Sequence, residues 1–281
     1  MTIQELQLPV LDAFNRFKSE YSHCIKGGNE GRYPSIIAEV EEHLSSHPGK
    51  MLRPLLLLLS AKACEHLSDM HIKLAVAMEL LHNATLMHDD VVDESDQRRG
   101  TDSVRHLWGN QAAVLCGDYF LSRVMSILQE TGNKQASIIV AKTVATMSLG
   151  ELKQLKYVGR KDISTDQYLD VIGSKTASLL SVCCELGSLP ETGDYAPFCN
   201  AMRDFGYHYG IVFQIRDDMA DMQEAHDIKM PDTVQPEDLV AHHARIASEA
   251  LLQIPDSQAK QSLLCLLQKI QCNYSTSNDT K

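Results

Sequence analysis

Between His88 and Gly100 the chain reads HDDVVDESDQRRG. On a helix, Asp89 and Asp93 stand four residues apart on one face, and Asp90 sits one step round. Carboxylates ~6 Å apart at an effective dielectric near ~20 repel by about 3 kcal/mol per pair. A divalent cation removes that repulsion. An all-oxygen donor set suits a hard ion such as Mg2+, which keeps several waters and shares itself with a substrate phosphate. The same spacing returns at Asp217, Asp218 and Asp221, inside FQIRDDMAD. Taken singly, either group also reads as a solvated acidic helix face. Their recurrence after two separate apolar helical runs favours chemistry, with both groups carried to one end of a core and facing each other across a cavity. His88 lies beside the first group, but one histidine does not make a transition-metal site.

Cations accompany the carboxylates. Arg98 and Arg99 close the first segment, and Lys50 and Arg53 lie in HPGKMLRP, after a turn and at the start of an apolar helix. Arginine forks match phosphate oxygens and lysine supplies a point charge. Together with the acidic groups they point to two diphosphate sites, one holding metal and one metal-free and basic.

Long helices must position these residues. Apolar residues recur at helical spacing over 52–67, 72–87, 111–128, 136–157, 166–186, 195–222, 239–252 and 256–272. Alternating strands are absent from the pattern, and the breaks at His47-Pro48-Gly49, Gly132-Asn133, Leu189-Pro190 and Met230-Pro231-Asp232 are too short for interdomain linkers. The spacing predicts an all-α, single-domain helical bundle of roughly ten helices, with residues 1–273 as the domain and 274–281 as a polar tail. The 281 residues carry a net charge of -11, which argues against binding to nucleic acid. The 8 cysteines form no CxxC pair and read as small buried hydrophobes in a reducing compartment. The start of the chain lacks the apolar core of a signal peptide, and the apolar run at 55–59 is too short to span a bilayer. A cytoplasmic location is expected, with no transmembrane segment.

Taken together, HDDVVDESDQRRG, GKMLRP, GSKTASLL and FQIRDDMAD resemble the trans-polyprenyl diphosphate synthases, in order from about Ile36 to Asp221. The resemblance implies an all-α bundle around a deep central cavity (isoprenoid synthase type), usually a homodimer. It implies Mg2+-dependent head-to-tail condensation of isopentenyl diphosphate with an allylic diphosphate. It assigns Asp89, Asp90 and Asp93 to Mg2+ and the allylic diphosphate, and Asp217, Asp218 and Asp221 to further Mg2+. Lys50, Arg53, His82 and Arg99 would bind isopentenyl diphosphate, and Arg98, Lys175, Thr176 and Gln214 the allylic partner. Asp89, Asp90, Asp93, Lys175, Asp217 and Asp218 form the implied catalytic set. Standing alone, His82 reads as a core histidine and Lys175 as a surface lysine with a buried stem.

One turn before Asp89 stand Ala84 and Thr85. Both are small, which leaves the cavity open beside a growing tail and implies a medium- or long-chain product. After Asp221 the chain departs from the family's pattern. The text MQEAHDIKMPDTVQPEDLV lacks the Gly-Lys pairs found there, Lys229 is out of register, and Arg216 stands where an apolar residue is expected. Arg216 would be close enough to pair with Asp217 or Asp221 and compete with Mg2+. The departure keeps other readings open: a weakly active subunit of a heteromeric synthase, a class I terpene cyclase, or a helical metal phosphohydrolase built on His88-Asp89.

Overall fold

The computed structural model describes residues 2–26, 35–47, 49–98, 100–160, 162–192, 196–220, 230–231 and 234–272. The predicted tail 274–281, the atypical stretch 222–229 with Lys229, and the site candidates Arg99 and Asp221 lie outside them.

Local signals in the sequence place the helix ends. Thr2 and Glu5 form a capping box that starts α1 (Ile3–Gln7). A 3-10 turn at Leu8–Val10 leads into α2 (Leu11–Lys26), and α3 (Ser35–Ser46) follows. Next come α4 (Leu52–Ala63) and α5 (Asp69–Val92), both mostly buried. The leucines at 55–59 are each at most 1% exposed, so that run faces protein on every side. His71 stitches the start of α5 to the far end of the bundle. Its Nδ1 accepts from the Ser68 N–H, and Nε2 lies 3.0 Å from the Leu189 carbonyl.

Ser103 accepts from the His106 N–H and opens α6 (Val104–Thr131). Gly132, at φ 66°, ends α6, and Asn133 caps α7 (Lys134–Tyr157). The predicted break at Gly132-Asn133 is thus a stop followed at once by a start. A Ser164–Gln167 capping box begins α8 (Thr165–Ile172), which runs through a π turn at Gly173–Ala177 into α9 (Ser178–Gly187). The bundle closes with α10 (Cys199–Ala220), α11 (Pro236–Leu251) and α12 (Gln258–Cys272).

Among the described residues each helical run read from the periodicity contains a helix, and the protein is all-α. The helical runs read from the sequence begin at residue 52 and leave out α1 to α3, and the pattern also misses a two-residue antiparallel ladder of β1 (Gln97–Arg98) with β2 (Thr101–Asp102). Two residues are too few to show alternation, and Gly100 at φ 76° supplies the turn. Among the described residues no helix is long and apolar enough to cross a membrane.

Two contacts set the frame around the site. On α2, Phe14, Phe17 and Tyr21 stack in series, and the Tyr21 hydroxyl accepts from Asn83 Nδ2 at 2.7 Å, fixing the rotation of α5. Gly210 lets α10 press on the π turn: a Cβ there would sit 2.6 Å from Ala177 Cα.

Candidate active site

The π turn is the hub. Its wider ring of i→i+5 bonds is a frequent mark of functional positions. It places Lys175 and Thr176 side by side with partners in opposite directions. Lys175 Nζ lies 2.9 Å from Glu151 Oε1 and donates to Gln154 Oε1 at 3.2 Å, both on α7. Its charge also acts on Asp89 and Asp93 at the end of α5. Thr176 Oγ1 donates to Gln214 Oε1 at 2.8 Å, and Gln214 Nε2 donates to Asp218 Oδ1 at 2.7 Å. The Tyr168 hydroxyl, from α8, donates to the other oxygen, Asp218 Oδ2, at 2.5 Å. One turn of chain therefore connects the acidic end of α5 with the acidic end of α10, where Asp217 and Asp218 occupy the last turn.

The three aspartates at the end of α5 are not equivalent: Asp89 and Asp90 lie on the helix, and Asp93 is its C-cap. Asp90 is 3% exposed, and Arg98 Nε donates to its Oδ1 at 2.7 Å. Burial lifts its carboxyl above the ordinary range, and Arg98 opposes that. The small ladder holds Arg98 in place: Thr101 Oγ1 donates to the Arg98 carbonyl at 2.9 Å, and Ser103 Oγ donates to the Ser95 carbonyl at 2.7 Å. Asp89 is pushed up to about 7, first by burial and then by Glu151 and Asp93, with Lys175 and Arg98 pulling it down. The rise is first an effect of burial, and a cation placed beside the carboxylate would lower it. Asp93 caps α5, its N–H donating to the Asp89 carbonyl at 2.8 Å.

The basic candidates are arranged on α4 and α5. Lys50 is exposed just ahead of α4. Met51 between it and the helix has φ 51° and ψ 38°, a left-handed conformation costly for a side chain of that size. Arg53 lies in the first turn of α4. Both Arg53 and the buried Glu79 act on the Cys183 thiol, Arg53 lowering and Glu79 raising a pKa already lifted by burial. Glu79, 2% exposed, stands one turn before His82, which is 7% exposed.

Ala84 is fully buried, and Thr85 is partly buried with its hydroxyl donating to the His82 carbonyl at 2.9 Å. At four residues' distance, Thr85 shares the face of Asp89 and Ala84 that of His88. His88 turns toward α6, its Nε2 3.1 Å from the Val114 carbonyl and 3.6 Å from Asp118. Arg216 also differs from expectation. It reaches away from the cluster to Glu237, with Nη1 to Oε1 at 2.7 Å and Nη2 to Oε2 at 2.8 Å.

Glu79, Glu151, Gln154 and Tyr168 were not among the residues singled out from the sequence. Glu151 and Gln154 stand three apart on one face of α7, a spacing visible in the sequence but not distinctive. Tyr168 sits in an amphipathic helix, where a tyrosine reads as core. Among the described residues, no three carboxylate, imidazole or thiol groups converge closely enough to cage a metal ion unaided.

The fold is that of the helical isoprenoid-synthase bundles. The decaprenyl diphosphate synthase structure from Rhodobacter capsulatus superposes with a TM-score of 0.85 at 28% identity, covering 95% of this chain and 98% of that one. Residues 34–244 match the Polyprenyl synthetase family, and the chain belongs to it. Relatives include the heptaprenyl diphosphate synthase component 2 of Geobacillus stearothermophilus, 37% identical over 185 residues, which are 66% of this chain and 58% of that protein. The octaprenyl diphosphate synthase of Escherichia coli (strain K12) is 34% identical over 191 residues, 66% of this chain and 57% of that protein. The match thus spans less than two thirds of the length of these curated relatives.

Proposed function

We propose that the chain is a prenyltransferase that condenses isopentenyl diphosphate head to tail with an allylic diphosphate to give a medium- or long-chain polyprenyl diphosphate. The observation that carries this reading is the π turn joining two carboxylate groups through Lys175, Thr176 and Gln214.

The residues fit Mg2+. Its usual protein share is one or two carboxylates, with water and substrate phosphate completing the shell. Asp89, pushed up to about 7 first by burial and then by Glu151 and Asp93, has carboxylate neighbours that suit that share. Asp89, Asp90 and Asp93 on one side, and Asp217, Asp218 and Asp221 on the other, would hold the ions. Asp90 would do so while tied to Arg98. Bound Mg2+ supplies positive charge to the departing diphosphate.

The chain's own groups do the rest. Lys175, Thr176, Gln214 and Arg98 orient the allylic diphosphate and offset the charge that builds on its bridging oxygen. Lys50, Arg53, His82 and Arg99 hold isopentenyl diphosphate so that its double bond meets the allylic carbon as the C–O bond breaks. The new C–C bond forms and a proton leaves, with the released diphosphate as its acceptor. No protein nucleophile is needed. Buried apolar walls keep water from the carbocation. Small residues at Ala84 and Thr85 leave room beside α5 for a long tail in a deep central cavity.

A homodimer suits the surface. On α6 and α7, Leu115, Met125, Leu149, Leu152 and Leu155 are 67%, 69%, 58%, 62% and 56% exposed, and such outward apolar residues favour a protein partner. The second reading, a subunit of a heteromeric synthase, draws on the relative named as a component 2. We read residues 1–273 as one domain with 274–281 as its tail, acting in the cytoplasm. Asp89→Ala and Asp217→Ala are each expected to abolish condensation at saturating Mg2+ while circular dichroism stays helical. Normal turnover in both variants would remove the two-cluster mechanism.

A further inference from the structure

Three helix ends meet at one guanidinium. Arg216, near the end of α10, donates to both carboxylate oxygens of Glu237 at 2.7 and 2.8 Å, and from Nη2 to the Gln271 carbonyl at 2.6 Å. Glu237 stands in the first turn of α11 and Gln271 in the last turn of α12. Each partner is what a helix end favours. The N-terminus of α11 prefers a carboxylate, and the last carbonyls of α12 have no donor within their own helix. The Arg216 side chain is only 12% exposed, and its fork matches the carboxylate in both bonds.

Direction matters more than strength here. At about 100° per residue, Asp218 lies roughly 200° round the helix from Arg216. Arg216 therefore faces α11 and α12 while Asp218 faces α8, whose Tyr168 donates to one of its oxygens; Gln214, one turn back on α10 and tied to Thr176 of the π turn, donates to the other. The end of α10 is gripped from opposite sides. Only one rotation of that turn satisfies both grips, and that rotation sets where Asp217 and Asp218 aim.

We infer that Arg216 is a positioning residue for the second acidic cluster, clamping α11 and α12 onto α10 and so aiming Asp217 and Asp218. This rests on reading that cluster as a metal-diphosphate site. With its charge engaged by Glu237, the guanidinium leaves the carboxylates to the ion.

The test combines amide hydrogen exchange with calorimetric binding of inorganic diphosphate in Mg2+, on the full chain. Arg216→Met should speed exchange in the first turn of α11 and the last turn of α12, leave the end of α5 unchanged, and weaken Mg2+-diphosphate binding about tenfold, the scale of lost outer partners at metal sites. Glu237→Gln, at an exposed position that does not threaten folding, should move both readouts the same way by less. Arg216→Lys should recover part of the loss. Unchanged exchange in Arg216→Met would overturn the clamp. Faster exchange with wild-type diphosphate affinity would overturn the positioning role and leave a purely structural tie. A wild-type chain that binds no Mg2+-diphosphate would remove the functional reading itself, and the positioning role with it.

Discussion

Replacing Lys175 with methionine keeps the length of the side chain and removes its charge. At 2.9 Å and an effective dielectric near ~20, the Lys175–Glu151 attraction is about 6 kcal/mol before desolvation. The two side chains remain 22% and 23% exposed, so water screens the pair. Leaving Glu151 without this cation should cost about 2 kcal/mol, below the range for fully buried pairs. Lys175 is also the foremost charge holding the Asp89 carboxyl down against burial, so the variant should need a higher pH to bind Mg2+. Loss of a charge-assisted bond to the diphosphate, about 1.5–3 kcal/mol, lowers kcat/KM by roughly ten- to a hundredfold. Adding Glu151→Gln to Lys175→Met separates the two effects. The double variant should regain most of the stability in urea denaturation and none of the rate. A single variant as stable and active as wild type, or a double variant no more stable than the single, would refute this account of Lys175.

Tyr168→Phe removes the donor to Asp218 Oδ2 and should cost about 1–2 kcal/mol of stability while raising the Mg2+ needed for half-maximal turnover; no change in either removes Tyr168 from the site. Asp89, at about 7 against an ordinary value near ~3.9, binds its proton more tightly folded than unfolded, so its contribution to stability falls as pH rises from ~4 to ~7. His71 and His243, held down to about 4 by burial, act the opposite way below ~6.5. The difference in Tm between wild type and Asp89→Asn in EDTA isolates the carboxyl: wild type should lose ground to the variant as pH climbs to 8, and a constant difference contradicts the raised Asp89 carboxyl. Gly187→Ala would put a Cβ 2.4 Å from the Leu57 carbonyl oxygen and should prise α9 from α4, costing about 1–3 kcal/mol by chemical denaturation; wild-type stability would show that the helices yield freely.

Periodicity made the helices legible because the apolar faces of α4 to α12 are long and their stops are chemical, as at Gly132-Asn133. The spacing of the two acidic groups is legible for the same local reason, and the GSKTASLL segment only through its family resemblance. What stayed hidden depends on rotation and on partners far along the chain. Nothing in GSKTA declares an i→i+5 turn, yet that turn sends Lys175 toward α7 and α5, and Thr176 toward α10. Asp90 and Asp89 are neighbours in sequence, but a short ladder gives Asp90 an arginine of its own. Arg216 abuts Asp217 in the chain, and the helix turns it away to Glu237, which no local pattern announces.

The most direct test of the central claim is product analysis. The purified chain is incubated with Mg2+, isopentenyl diphosphate and farnesyl diphosphate, diphosphate release is followed, and the lipids are sized by mass spectrometry. The account predicts stoichiometric release with a ladder of polyprenyl diphosphates extended well beyond the primer. Diphosphate loss to a hydrocarbon without isopentenyl incorporation, or no turnover by the chain alone, would contradict it.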